Sequence, residues 1–321
     1  MALRVGSNDA NTGGLVSRWQ KTMLARYAAY AKSYDGGPLR VDGYYGYDDA
    51  DVQREYERRT HQVVDGEVSD ADLRALGLEA VKRWLFTVHG TGQADPLGPG
   101  LPADTARAVL DKYTWQPIGN YPARAFPMWS SIMDGAKELR AQIAAKQGEV
   151  NLAGYSQGAV VVGQVLKHDI MDPKGSLHHR LGDVRKVVFW GNPMRQKGIA
   201  HFDEWIHPVA GPESYGILDD RLEGLDTAPF EVRDYAHAGD MYASITDGDK
   251  DEYKIAICKI VMTATDFYRG PNSVVSQLIE LGQRPLTEGI AMALAIIDTL
   301  RFFTNTAHGY NIGPAIEFLR S

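Results

Sequence analysis

"NLAGYSQGAVVVGQV", residues 151–165, runs apolar, breaks at Ser156 between Gly154 and Gly158, and resumes apolar beyond the break. The approach lies in "EVNLAGY" (149–155), which has the length and composition of a buried strand. The continuation, "GAVVVGQVLKHDI" (158–170), reads as a buried helix. A serine at a sharp strand-to-helix turn projects its hydroxyl beyond the sheet, and small residues two places to either side let a strained backbone pass close to its neighbours. Gly154 and Gly158 meet that need. The helix after the turn aims free backbone N–H groups at any oxyanion formed on the serine, with Gln157 N–H as the first donor.

The same alternation continues on both sides. "RWLFTVHGTG" (83–92) is a short strand running into a glycine-bearing loop, and "AFPMWSSIMDGAKELRAQIAAK" (125–146) is helical. "RKVVFWGNP" (185–193) and "FEVRDYAH" (230–237) are further strands. Strands alternating with helices predict an α/β fold with a mainly parallel central sheet, whose ligands bind at the carboxyl ends of the strands. From about residue 260 to 303 the chain offers two or more helices with no strand between them, which reads as a helical insert.

A nucleophilic serine needs a base, and on such a sheet the partners follow in the order serine, acid, histidine. Of the nine histidines, His308 in "NTAHGYN" is the one beyond residue 237, and its small neighbours suit a loop. The acid belongs just past a later strand. "FEVRDYAHAGDMYA" (230–243) offers Asp234 inside the strand pattern and Asp240 in the loop behind it, so Asp240 is the better placed. Asp247, Asp249 and Asp251 read as a solvated charge run. "VHGTGQ" (88–93) is where the second oxyanion donor belongs, and Thr91 N–H is the choice there, with Gly90 and Gly92 easing the backbone. That string fails the dinucleotide fingerprint because residue 95 is Asp. His89, at a strand end, reads as structural.

Composition limits the alternatives. A net charge of −7 over 321 residues argues against a nucleic-acid partner, since such proteins usually need a basic face to neutralise phosphates. Cys258 is the only cysteine, so an intramolecular disulfide and a multi-cysteine metal site are both excluded. The N-terminus lacks the apolar run of a secretory signal. "GIAMALAIIDTLRFF" (289–303) is interrupted by Asp298 and Arg301, so it reads as a buried helix and no transmembrane segment is expected.

Residues 1–79 are more polar than the rest of the chain. They read as helix, turn, helix, turn, short helix: "GLVSRWQKTMLARYAAYAKSY", then "DADVQREYERRTHQV" capped by Asp49 or Asp51, then "VDGEVSDADLRAL". "VDGYYG" before a helix, and then "VDGEVSDADL", resembles the small three-helix peptidoglycan-binding modules of cell-wall hydrolases. That resemblance implies a wall-binding domain over 1–79, with 80–321 as the catalytic domain; Tyr44, Tyr45 and Tyr47 could equally form an intramolecular contact surface.

"FTVHGTGQADPLGPGLPADTARAVLD", "WQPIGNYPARAFPMW", "AGYSQGAVVVGQVLKHDI" and "HAGDMYA" together resemble the lysin B proteins of mycobacteriophages, from about Arg83 onward. The resemblance implies a cutinase-like α/β-hydrolase with a helical insert, acting on the ester that joins mycolic acids to arabinogalactan in the mycobacterial envelope. It maps nucleophile, acid and base onto Ser156, Asp240 and His308, and calls for no metal or organic cofactor. It also implies synthesis in the host cytoplasm without a signal peptide, and action at the envelope after a holin opens the inner membrane. The disulfides that brace secreted cutinases are absent. Two rivals stand beside this reading: a general lipase or cutinase acting on other lipid or soluble esters, and a wall-binding module with an inactive hydrolase fold. The intact serine, acid, histidine and glycine set speaks against the second.

Overall fold

The computed structural model describes residues 3–78, 82–247, 252–302 and 306–321. The chain divides into two compact units, Met1–Val81 and Lys82–Ser321. The division expected between residues 79 and 80 falls outside the described residues, as do Asp249 and Asp251 of the charge run and Phe303 at the end of the expected insert.

The first unit holds α1 (Asp9–Thr12), α2 (Leu15–Tyr27), α3 (Tyr47–Arg59) and α4 (Asp70–Leu76). The three longer helices are those expected; the single turn α1 was not, and it is held by a reciprocal cap between Asn8 and Asn11. Neither Asp49 nor Asp51 caps α3. Gly46 is the N-cap, and Asp49 reaches back from the first turn to accept Gly46 N–H at 2.8 Å. Asp49 also accepts Gln20 Nε2 at 3.1 Å, and burial pushes its carboxyl up to about 6 against these bonds. Trp19, Met23, Leu73 and Leu76 close a core of the unit's own. Tyr45 belongs to that core, its hydroxyl donating to Gly66 O at 3.0 Å, whereas Tyr44 and Tyr47 are exposed.

The second unit is built on five parallel strands in the order β2-β1-β3-β4-β5: β1 (Arg83–Val88), β2 (Thr114–Pro117), β3 (Glu149–Tyr155), β4 (Val184–Trp190) and β5 (Glu231–Tyr235). Strand β2 was not foreseen, because "TWQP" is four residues long and ends in proline. The inner strands are apolar on both sides, as a parallel sheet covered on two faces requires. Phe86, Val88, Leu152, Val187 and Phe189 meet one cluster with α6 (Met128–Ala145) and α7 (Gln157–Gln164). Leu85, Ala153, Val188 and Trp190 meet the other, with α5 (Leu101–Ala108) and α11 (Gly313–Arg320). The register of β3 on β4 shifts by one residue after Val150. Asn151 absorbs the shift: buried, it donates to Trp84 O at 3.1 Å and accepts Lys186 N–H at 3.2 Å.

Beyond β5 come α8 (Glu252–Thr263), α9 (Val274–Leu281) and α10 (Leu286–Phe302) with no strand between them. The helical insert therefore exists but starts before residue 260. It packs onto the α6 and α7 face through Cys258, Val261, Val274 and Ile297. Among the described residues no helix is long and apolar enough to cross a membrane.

Candidate active site

Ser156 sits between β3 and α7 with φ 54° and ψ −119°, the left-handed region that side chains rarely enter. Its N–H donates to Trp190 O at 2.9 Å, tying the turn to the end of β4. The two glycines leave no room for substitution. A Cβ on Gly154 would lie 2.7 Å from Gly158 O, and one on Gly158 would lie 2.3 Å from Val88 O. The break in the apolar run is thus the point where β3, β1 and the start of α7 come closest.

His308 arrives from a short helical turn, Thr306–His308, just before α11. Its Nε2 lies 2.8 Å from Ser156 Oγ and its Nδ1 lies 2.7 Å from Asp240 Oδ2. Asp240 can only accept as a carboxylate, so the ring proton sits on Nδ1 and Nε2 is left to accept the serine hydroxyl. All three residues are buried. Burial works against the charge on Asp240, yet His308, the Tyr310 hydroxyl and Tyr242 N–H together hold its carboxyl below its ordinary value. Arg195, itself buried, fixes the same loop by donating from Nε to Ala243 O at 2.6 Å.

Asp234 is placed differently. It lies on β5, fully buried, accepting from Asn192 Nδ2 at 2.9 Å. Burial pushes its carboxyl up to about 7 against the pull of Arg195, so it is poorly suited to support a charged imidazole.

The two expected oxyanion donors, Gln157 and Thr91, are brought together. Among the described residues neither backbone N–H has a hydrogen-bond acceptor. The Gln157 side chain is buried and fully used. Its Oε1 accepts from Tyr121 Oη at 2.6 Å and Ser131 Oγ at 3.0 Å, and its Nε2 donates to Arg124 O at 2.8 Å and Thr91 Oγ1 at 3.2 Å. One amide thus joins the β1 loop, the segment before α6 and the start of α7. His89 is buried with Nε2 3.3 Å from Pro96 O, and burial lowers its basicity, in line with a structural role. Among the described residues no group of histidine, cysteine and carboxylate side chains could hold a metal ion. A cavity of 520 Å³ lies at the amino ends of the strands, lined by Arg83, Glu149, Lys186 and Glu231, at the far end of the sheet from Ser156.

No protein-family model matches the chain. Endolysin B of Mycobacterium phage D29 is 64% identical over 250 residues, covering 74% of this chain and 98% of that protein. Endolysin B of Mycobacterium phage L5 matches to the same extent. The chain belongs to the mycobacteriophage endolysin B family. The crystal structure of lysin B from mycobacteriophage D29 aligns at a TM-score of 0.72, covering 75% of this chain and all of that one. The expected α/β-hydrolase fold is therefore the family's fold. The uncovered quarter equals the share of the chain that the first unit makes up.

Sequence reading missed several supports of this site. Tyr310 and Tyr242 hold Asp240, Tyr155 Oη donates to His308 O at 2.9 Å, and the Gln157 side-chain amide joins three segments around the site. "GYSQG", "HAGDMYA" and "HGYN" carried these residues, but no periodicity distinguishes a tyrosine that reaches a carboxylate from one that fills a core.

Proposed function

We propose that this lysin is a serine esterase that cleaves the ester joining mycolic acids to arabinogalactan. Ser156 attacks the ester carbonyl while His308 Nε2 takes the hydroxyl proton, and Asp240 holds the ring in the right tautomer and balances its charge. Gln157 and Thr91 N–H groups hold the oxyanion of the tetrahedral intermediate. That intermediate collapses by returning the proton from His308 to the departing sugar alcohol. Water, activated by the same histidine, then cleaves the acyl-enzyme and releases the fatty acid.

The observation that carries this reading is the hydrogen-bonded series Ser156, His308, Asp240 on a strained strand-to-helix turn. Membership of the endolysin B family supports a role in phage lysis; action at the mycobacterial envelope after holin-dependent release is part of the proposal. The first unit is read as a wall-binding module. A fluorophosphonate probe with subsequent peptide mass analysis tests the mechanism: the adduct should sit on Ser156 and be absent from Ser156→Ala. Labelling elsewhere, or none in an enzyme that turns over esters, would contradict it.

A further inference from the structure

A second buried histidine–carboxylate pair lies beside the first. His237 and Asp203 are both 0% exposed. His237 Nδ1 is 2.9 Å from Ala307 O, and its Nε2 is 2.9 Å from Asp203 Oδ1. A carbonyl oxygen can only accept, so Nδ1 carries a proton. Asp203 also accepts Trp205 N–H at 3.2 Å and Asn311 N–H at 2.7 Å, bonds that favour its ionised form, so Nε2 carries a proton too. The ring is therefore an imidazolium. Its pair grips the chain on both sides of His308, at the carbonyl of Ala307 and the N–H of Asn311. Tyr310, whose hydroxyl reaches Asp240, stacks on the His237 ring at 4.2 Å.

We propose that His237 and Asp203 are positioning residues for the esterase reaction, forming a charged clamp that fixes residues 307–311 and so aims His308 at Ser156. The proposal rests on the assignment of Ser156, His308 and Asp240 as nucleophile, base and acid. A buried ion pair seldom stabilises a fold more than apolar packing would, so its use here is to fix one arrangement of the loop. If His237 loses a proton and keeps its bond to Asp203, a bare Nδ1 lone pair faces Ala307 O and the loop is released next to His308. A displacement on the order of 1 Å can cost about 10²-fold in rate.

The ionisable groups facing His237 are Asp203 and His207 on its packing loop, Tyr310 against its face, and Asp240 beyond. Burial opposes its charge, but Asp203 and the Ala307 carbonyl raise its basicity above the ordinary 6.5. The clamp is therefore intact below that value and is lost as pH rises through the higher value of the folded chain. Asp203→Asn offers a neutral substitute: an amide nitrogen donating to Nε2 lets an uncharged His237 keep Nδ1–H on Ala307 O.

The test uses the full chain, a soluble nitrophenyl ester and ¹⁵N NMR of labelled histidine. Two ring N–H protons on His237 at pH 7 are expected, with kcat falling as the second is lost. Asp203→Ala should lower kcat by about 10- to 100-fold with KM within about twofold. Asp203→Asn should recover most of that loss, hold His237 neutral and remove its share of the alkaline decline. A single ring proton on wild-type His237, or an unchanged kcat in Asp203→Ala, overturns the clamp. Should Asp203→Ala fail to fold, the proton count and the Asp203→Asn profile still decide. Failure of the esterase reading is separate: Ser156→Ala would then turn over ester as the wild type does, whatever the His237 proton count.

Discussion

Gln157 Nε2 donates to Thr91 Oγ1 across 3.2 Å, so the two residues proposed to hold the oxyanion through their backbone N–H groups are tied to each other through their side chains. An oxyanion hole works because its donors are already in place when charge develops. Under the proposed mechanism the buried amide, with four hydrogen bonds, supplies that order.

Gln157→Leu should therefore impair catalysis with its backbone donor still present. It strands Tyr121 Oη, Ser131 Oγ, Thr91 Oγ1 and the Arg124 carbonyl, each of which bonds to the amide. A fall in kcat of about 10²-fold is expected, together with a lower Tm. Steady-state kinetics and thermal melts check both; a lower Tm with full kcat would make the amide merely structural.

Asp240→Asn should reduce kcat by about 10⁴-fold, because an amide at that position no longer favours the Nδ1–H tautomer of His308. Asp234→Asn should be mild, since Asp234 accepts from Asn192, just past the end of β4, and does not bond to His308. Kinetics of the two variants side by side give the answer, and the reverse order would make Asp234 the acid.

The same Asp234 variant carries a stability signature. With its folded carboxyl raised from 3.8 to about 7 by burial, wild-type Asp234 binds its proton more tightly folded than unfolded. The folded state therefore loses stability as pH rises from 3.8 toward 7, and Asp234→Asn escapes that loss. The stability of the variant relative to wild type should increase across this range, by at most about 4 kcal/mol. Melting curves at pH 4.5 and pH 7.5 test it, and a constant difference contradicts the burial argument.

Deleting residues 1–79 should leave hydrolysis of a soluble ester intact. The second unit has its own clusters on both faces of its sheet, and three quarters of this chain span 98% of the phage D29 relative. On insoluble walls a binding module raises effective concentration, and avidity gains can reach about 10² to 10⁴. Activity on walls should therefore drop more than activity on the ester. Equal losses in both assays, with a lower Tm, would make the first unit a structural cap.

The elements around the site were legible because each announced itself locally. "EVNLAGY" and "RKVVFWGNP" are apolar enough to be covered on both sides, and the glycines beside Ser156 mark a close approach of backbones. The chain order of serine, acid and histidine then pointed to His308, and the loop after β5 favoured Asp240 over Asp234 within the strand. Strand β2 escaped because a four-residue edge strand ending in proline has no period to detect. The cap of α3 was misplaced for a related reason: Gly46 offers no side-chain signal, while the aspartates after it do. The His237 and Asp203 pair was invisible because its residues are 34 apart in sequence, and both bond to the loop around His308 only in the folded chain.

The central claim is tested most directly by incubating purified mycobacterial cell walls with the wild-type chain and with Ser156→Ala, then resolving the released fatty acids by chain length. Mycolic acids should be released by the wild type and not by the variant. Release by Ser156→Ala at the wild-type rate, or an active wild type that hydrolyses short esters but frees no mycolic acid from walls, would contradict it.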